Sequence, residues 1–236
     1  MIELYKFSIF GIVLTLIAFF GALALREKLK FVLFNPVLIA SAAIILVLVL
    51  SDISFADYNK GGKYLSFFLS PAIVALGVLF FEKYKVIKHN MYPFIMAVCS
   101  GGIISILCVS ILTIIMNAPE VIIKSIVPLS VTTPIAIEIT KMTYGIPSIT
   151  AGVVIAVGIF GNAIGPGFLK FVGIKSKTAI GTALGTAAHG IGTARAIEIG
   201  PLPGAYSGLA MCVNGVLTTL MAPHVVVWII SYVSSS

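Results

Sequence analysis

Long apolar runs, separated by short polar or basic segments, dominate the pattern of this chain. Six of the runs approach the roughly 20 residues that an α-helix needs to cross a bilayer. They predict about six full membrane spans, at 7–25, 31–50, 65–81, 92–116, 149–169 and 205–233. Two other stretches, 121–145 and 178–200, are as long but contain prolines, glycines and polar side chains. These two stretches are predicted to be broken or re-entrant helices.

The basic residues indicate how the spans alternate. Lys and Arg concentrate at 26–30, 82–90 and 170–177, and the positive-inside bias assigns such segments to the cytoplasm. Because the first cluster follows the first span, we expect a retained helix with its N-terminus outside, and not a cleaved signal peptide. Simple alternation would leave the last cluster outside. The conflict disappears if 121–145 and 178–200 each return to the face they entered from, one from each side.

Composition supports the membrane interpretation and excludes other classes. Hydrophobic residues make up 59% of the chain and charged residues 10%, whereas soluble domains carry about 25% charged residues. We therefore expect one integral membrane domain, residues 1–236, of the all-α polytopic class. The net charge of +7 fits loops beside anionic headgroups, with no nucleic acid as partner. Without metal-type Cys/His spacing or a nucleotide fingerprint, we expect no enzyme, metal or cofactor.

The stretch 178–200 carries ionisable groups among apolar spans, and such groups at membrane depth indicate a functional site. Its candidate substrate ligands are His189, Gly190, Gly192, Thr193 and Arg195. Thr193 could cap the helix that follows, and Arg195 in its first turn could clamp a carboxylate. A plain interhelical hydrogen bond would also explain His189. Arg195 could instead snorkel to the cytoplasmic surface, paired with Glu198.

Thr132-Thr133-Pro134 is typical of a helix start, because threonine caps helices and proline favours the first helical position. The amides of a first turn bind carboxylate or phosphate groups well. Thr132 and Thr133 are therefore candidate ligands, although a buried cap without a ligand fits the pattern equally. Two broken segments that meet at the midplane from opposite sides are how many secondary transporters form an anion site.

Two acidic residues are candidates for proton coupling, Glu138 and Glu198, because a carboxylate buried in the membrane can carry a proton. Structural ion pairs, Glu138 with Lys141 and Glu198 with Arg195, explain them equally well.

Asn162 and Asn214 are two more polar residues in apolar spans. We count both as candidate ligands, although such residues more often form helix–helix hydrogen bonds. The segments 70–73 and 133–136 are loosely alike, which chance explains at least as well as an inverted repeat.

Several motifs resemble the LrgB/CidB family of membrane proteins. They are SVTTPIAIEI at 130–139, GNAIGPG at 161–167, GTALGTAAHGIGTARA at 181–196, GAYSGLA at 204–210 and, in the first half, SPAIVAL at 70–76. The chain departs from the family pattern at Leu129, where a basic or polar residue is usual, and at Ala188, where serine is usual. The first departure could remove a charge on the substrate side, which leaves the solute open.

The resemblance implies two functions that do not fully agree. Bacterial members are described as antiholin-like or holin-like proteins that act with a small LrgA/CidA-like membrane partner on murein hydrolase activity and autolysis. A plant member is similar to a plastid glycolate/glycerate transporter, and bacterial relatives are linked to pyruvate. We expect a secondary transporter of small monocarboxylates in the cell membrane, a homodimer by analogy. The alternative is a regulator of autolysis without a solute of its own.

Overall fold

The computed structural model describes residues 8–29, 36–68, 71, 75, 81–82 and 84–233. Every regular element within these ranges is an α-helix, as the sequence predicts. The chain divides into two compact units, Met1–Leu76 and Gly77–Ser236. The first predicted site residue, Thr132, and all the others lie in the second unit.

The first unit contains α1 (Ser8–Leu29), α2 (Pro36–Leu50) and α3 (Phe55–Phe67). Helix α3 lies close against α1, where a Cβ on Gly11 would overlap the Tyr58 carbonyl oxygen. The hydroxyl oxygens of Thr15 and Tyr58 are 2.8 Å apart. Close approach at a glycine and one hydrogen bond therefore fix the pairing of these two helices.

Helix α3 corrects the sequence analysis, which took residues 51–64 as a loop because their charges cancel. Ser54 caps the helix by accepting a hydrogen bond from the Asp57 amide at 3.1 Å. Lys60 pairs with Asp57 at 2.6 Å, three residues apart on one helix face. Charges at that spacing support a helix as well as a loop, so their cancelling did not distinguish the two.

The second unit contains seven helices in its described part. They are α4 (Tyr84–His89), α5 (Met91–Ile115), α6 (Glu120–Ile126), α7 (Thr133–Met142), α8 (Pro147–Phe171), α9 (Lys177–Ile199) and α10 (Pro201–Val233). Helices α5 and α10 run parallel, since Phe94 stacks edge-on against Tyr206 at 5.6 Å and, further along both helices, Ile106 shares a buried cluster with Ala222.

Among the described residues, four helices are long and apolar enough to cross a membrane. They cover Ile9–Lys28, Met91–Ile115, Pro147–Phe171 and Pro201–Ser231. Helix α2 is apolar but has only 15 residues, and its predicted span begins at 31–35, outside the described residues. Most of the predicted span 65–81, with the motif at 70–76, also lies outside them. Of the six predicted membrane spans, four are therefore found among the described residues.

Helix α9 is broken, as predicted, and its chain reverses. His189 has φ 42° and ψ −129°, which no helix accommodates. A Cβ on Gly192 would overlap the carbonyl oxygen of Leu184, eight residues earlier. In an unbroken helix these residues would be about 12 Å apart along the axis, at 1.5 Å per residue. The second half of α9 therefore folds back along the first.

Contacts with α10 confirm the hairpin. Cβ atoms on Gly181 and Gly185 would overlap the carbonyl oxygens of Pro203 and Ser207, so the first half of α9 runs parallel to α10. Thr193, in the returning half, lies with its hydroxyl 3.0 Å from that of Ser207. The chain thus enters, turns at His189, returns to the same end of the bundle and then crosses as α10.

The stretch 121–145 makes a second hairpin, from α6 and α7 with an irregular connection at 127–132. Its two ends lie together, because the Ile146 amide donates to Ser125 Oγ at 2.8 Å. The Thr150 hydroxyl donates to the Ser125 carbonyl at 2.7 Å. This stretch therefore also returns to the end from which it entered.

The two hairpins enter from opposite ends of the second unit. The start of α9 lies beside the starts of α5 and α10, where Asn90, Thr178 and Tyr206 line one cavity. The ends of the α6–α7 hairpin lie beside the last part of α10, where Lys124, Thr143 and Val226 line another. This arrangement matches the predicted topology, in which one segment enters from each face.

The close packing of α9 against α10 leads to a test. We expect Gly185→Ala to destabilise the protein by about 1–3 kcal/mol, because the new methyl meets backbone of α10 and cannot be accommodated. Gly152→Ala in α8 is the matched control, since a Cβ there has no neighbour within 4 Å. Thermal unfolding of both variants in detergent measures the difference. Equal midpoints would mean that α9 and α10 are further apart.

Candidate functional site

The breaks of both hairpins meet at one side chain on α10, Asn214. Its Nδ2 donates to the Ser130 carbonyl at 3.0 Å and to the Thr186 carbonyl at 3.1 Å. Ser130 precedes α7, and Thr186 lies in the last turn before the reversal at His189. Asn214 is 1% exposed. Asn214, predicted as a candidate ligand, thus forms the helix–helix hydrogen bonds that were the alternative, and it joins three elements.

The position of Asn214 follows from what a broken helix leaves unpaired. The last carbonyls of a helix have no partner amides within it, and Thr186 belongs to such a final turn. An amide side chain offers two N–H donors and can serve two carbonyls at once. Asn214 therefore satisfies backbone oxygens of both hairpins at the depth where their helices end.

The start of α7 leaves amides available. Thr132 is the N-cap, with φ −63° and ψ 145°, but its hydroxyl makes no capping hydrogen bond. This corrects the expectation that its side chain closes the helix end. Pro134 has no N–H, so the amides of Thr133 and Ile135 are the free donors of the first turn. With the helix dipole, they give this end a partial positive charge.

His189 occupies the turn of the α9 hairpin. Its positive φ is costly for a side-chain-bearing residue, of order 1–3 kcal/mol. The residue is 3% exposed, and its ring Nε2 lies 3.0 Å from the Val154 carbonyl oxygen on α8. Gly158 provides the space, because a Cβ there would lie 2.7 Å from His189 Cε1. The interhelical hydrogen bond, one of the two interpretations of His189, is therefore present.

Other predicted ligands, on α8 and α9, contact the α9 hairpin. The Thr193 hydroxyl donates to the His189 carbonyl at 2.8 Å, one turn back, so it does not cap the helix as expected. Asn162 on α8 donates to the Ile191 carbonyl at 2.9 Å. Gly192 is buried against the first half of α9, whereas Gly190 is exposed at the turn. Of these positions, Gly190 leaves its backbone open to a ligand.

The charged candidates lie apart from Asn214. Arg195 is in the second turn after the break, not the first, and pairs with Glu198 at 2.5 Å, the two side chains being 32% and 44% exposed. Glu138 pairs with Lys141 at 2.7 Å and is 68% exposed. Both ion pairs allowed by the sequence are thus formed. Neither carboxylate is buried inside the protein, because both side chains lie on outward helix faces.

A cavity of about 530 Å³ lies between α5, the first half of α9 and α10. It extends from Asn90 and Thr178, at the end assigned to the cytoplasm, to Gly101 and Thr186 beside the break. Three threonines that were not predicted as site residues line it, Thr178, Thr182 and Thr186. Their four-residue spacing, which places them on one helix face, was the available signal.

Comparison with known proteins identifies the relatives of this fold. Residues 15–228 match the model of the LrgB-like family. Proteins named Antiholin-like protein LrgB, from Bacillus cereus (strain B4264) and Bacillus anthracis (strain CDC 684 / NRRL 3495), are 35% identical over 215 residues, covering 91% of this chain and 94% of each relative. No solved structure matches the chain significantly. With the apolar helices, these findings make it a multi-pass protein of the cell membrane.

The strained turn at His189 predicts that glycine at this position stabilises the protein more than alanine does, the reverse of the order in a regular helix. Replacing His189 by Ala or by Gly removes the same ring hydrogen bond, but only Gly adopts the positive φ without strain. We expect His189→Gly to be more stable than His189→Ala by about 1 kcal/mol or more. Inside a regular helix the order is reversed by a similar amount. Thermal midpoints of the two variants decide, and greater stability of the Ala variant would contradict the broken helix.

Proposed function

Because this chain belongs to the LrgB-like family, we propose that it is a secondary membrane transporter of small monocarboxylates, of the glycolate, glycerate and pyruvate class. One observation carries the proposal: two helical hairpins enter from opposite ends and are joined at their breaks by Asn214. Non-helical backbone at membrane depth is tolerated only where protein or a water-filled cavity surrounds it. A protein that only oligomerised in the membrane would not need two such breaks.

The solute carboxylate would bind at the helix starts next to the breaks. The first-turn amides of α7, at Thr133 and Ile135 next to the N-cap Thr132, and the exposed backbone at Gly190 present N–H groups at positive helix ends. Carboxylates bind well at such ends. Half-helix N-termini that face an anionic solute are a recurrent feature of secondary transporters.

The cavity provides access to this site from one side. Its volume of about 530 Å³ is within the range of roughly 300–1,000 Å³ that holds small ligands. The hydroxyls of Thr182 and Thr186 donate to backbone carbonyls one turn back, so toward a hydroxy acid they would accept hydrogen bonds. In this state the solute would reach the breaks from the cytoplasmic end, and alternating access would open the opposite end instead.

Arg195 and Glu198 would couple binding of the solute to uptake of a proton. The guanidinium is already paired with a carboxylate at 2.5 Å, and a solute carboxylate could pair with it in the same way. If the solute replaces Glu198 at Arg195, a proton taken up by Glu198 keeps the local charge unchanged. Proton coupling would follow from that exchange, with Glu138 as the second candidate.

The alternative function is control of murein hydrolase activity and autolysis with a small LrgA/CidA-like membrane protein. The name of the relatives, Antiholin-like protein LrgB, favours it. In this case the hairpins would serve assembly, a homodimer or a complex with the partner, and no carboxylate would bind. Calorimetry of purified protein with pyruvate, glycolate and glycerate separates the two functions.

The transport proposal predicts that Arg195→Ala reduces carboxylate uptake into proteoliposomes about tenfold or more, since hydrogen bonds to charged groups contribute about 1.5–3 kcal/mol. Lys124→Ala is the control. It removes a cation that is also paired, with Glu120, but lies at the other end of the unit. Unchanged uptake by the Arg195 variant, with normal folding, would remove Arg195 from the site.

A further inference from the structure

Three buried side chains around the breaks each have an oxygen without a hydrogen-bond partner. They are Ser130 Oγ, Asn214 Oδ1 and Thr218 Oγ1. The exposed fractions of these residues are 1%, 1% and 0%. An unpaired buried polar atom costs free energy, and native structures keep few of them. Three at one place therefore indicate that something binds there.

The three oxygens belong to one small region. Asn214 Nδ2 is 3.0 Å from the Ser130 carbonyl oxygen. Thr218 is one turn further along α10 than Asn214, and residues four apart lie on the same helix face. The three residues are therefore near neighbours.

The orientation of Asn214 is determined by its partners. Its amide nitrogen must face the Ser130 and Thr186 carbonyls, because both can only accept hydrogen bonds. The oxygen is therefore directed away from them, toward α5, where a Cβ on Gly102 would overlap it. A glycine at this position leaves room for the oxygen, whereas any side chain would overlap it.

The local field favours a positive ion. The first half of α9 ends here with its carbonyls, and a helix C-terminus carries a partial negative charge. The Thr186 carbonyl is 3.1 Å from the same Asn214 amide. In secondary transporters, unwound backbone carbonyls and half-helix C-termini are where coupling cations bind.

We propose that Ser130 Oγ, Asn214 Oδ1 and Thr218 Oγ1 bind an alkali metal cation of the size of Na⁺, which couples to carboxylate transport. The inference rests on the proposed function and extends it. The three ligands are neutral, hard oxygens, so they suit one positive charge better than two. A solute carboxylate at the start of α7 would offset the charge of the cation. The charge of the solute would then not have to be balanced by protonation of Glu198 alone.

The test is the binding of radioactive sodium to the purified full chain in detergent, in choline chloride buffer without any carboxylate. We expect saturable binding that unlabelled Na⁺ or Li⁺ displaces better than K⁺. Thr218→Val and Ser130→Ala each remove one ligand and should weaken the affinity about 10–100-fold, as changes around metal sites do. Neither variant should lose stability, because each deletes an oxygen that has no partner in the protein.

Thr219→Val is the matched control, since its hydroxyl already donates to the Gly215 carbonyl at 2.8 Å, and it should retain wild-type sodium affinity. Absence of sodium binding to the wild type would overturn the proposal and assign the three oxygens to buried water. Binding that survives in both ligand variants would overturn it too. The sodium-binding assay contains no carboxylate, so its result is independent of the uptake assay. A protein that binds sodium but takes up no carboxylate would therefore contradict the transport proposal and not the sodium site.

Discussion

Backbone groups inside a membrane need partners, and this requirement governs the second unit of the protein. A continuous helix meets it by itself, but the connection at 127–132 and the turn at His189 do not. Asn214 supplies partners to one carbonyl at each break, and His189 and Asn162 add hydrogen bonds between α8 and α9. Since few groups can do this in an apolar core, the breaks and the residues that stabilise them form one structural unit.

Close helix packing makes that arrangement possible. Glycines on α8 and α9 lie where a side chain would meet another helix, at Gly161, Gly181 and Gly185. They bring the hairpin near enough to α10 for a short side chain such as Asn214 to reach both breaks. The same closeness leaves a cavity between α5 and α9 that extends to Thr186 beside the break. Packing, breaks and cavity therefore depend on one another.

Much of this fold could be predicted from the sequence, because charge bias and apolar length are local properties. The reversal in 178–200 followed from the basic cluster at 170–177, and the structure confirms it. The partners of Asn214 could not be predicted, since they are backbone carbonyls 28 and 84 residues away. The prediction that Thr193 caps the following helix was wrong, because a threonine hydroxyl in a helix can donate to a carbonyl of the preceding turn as readily as it caps. Helix α3 was missed because the same charges fit loop and helix.

The measurement that tests the account most directly is the side of the membrane on which each end of α9 lies. In a variant without native cysteines, single cysteines replace Ser176, Ile199 and Tyr144, all exposed in the structure. Each is labelled with an impermeant reagent in right-side-out and inverted vesicles. The account predicts that Ser176→Cys and Ile199→Cys label from the same face and Tyr144→Cys from the other. Labelling of the first two from opposite faces would show that α9 crosses the membrane, and would contradict the hairpin.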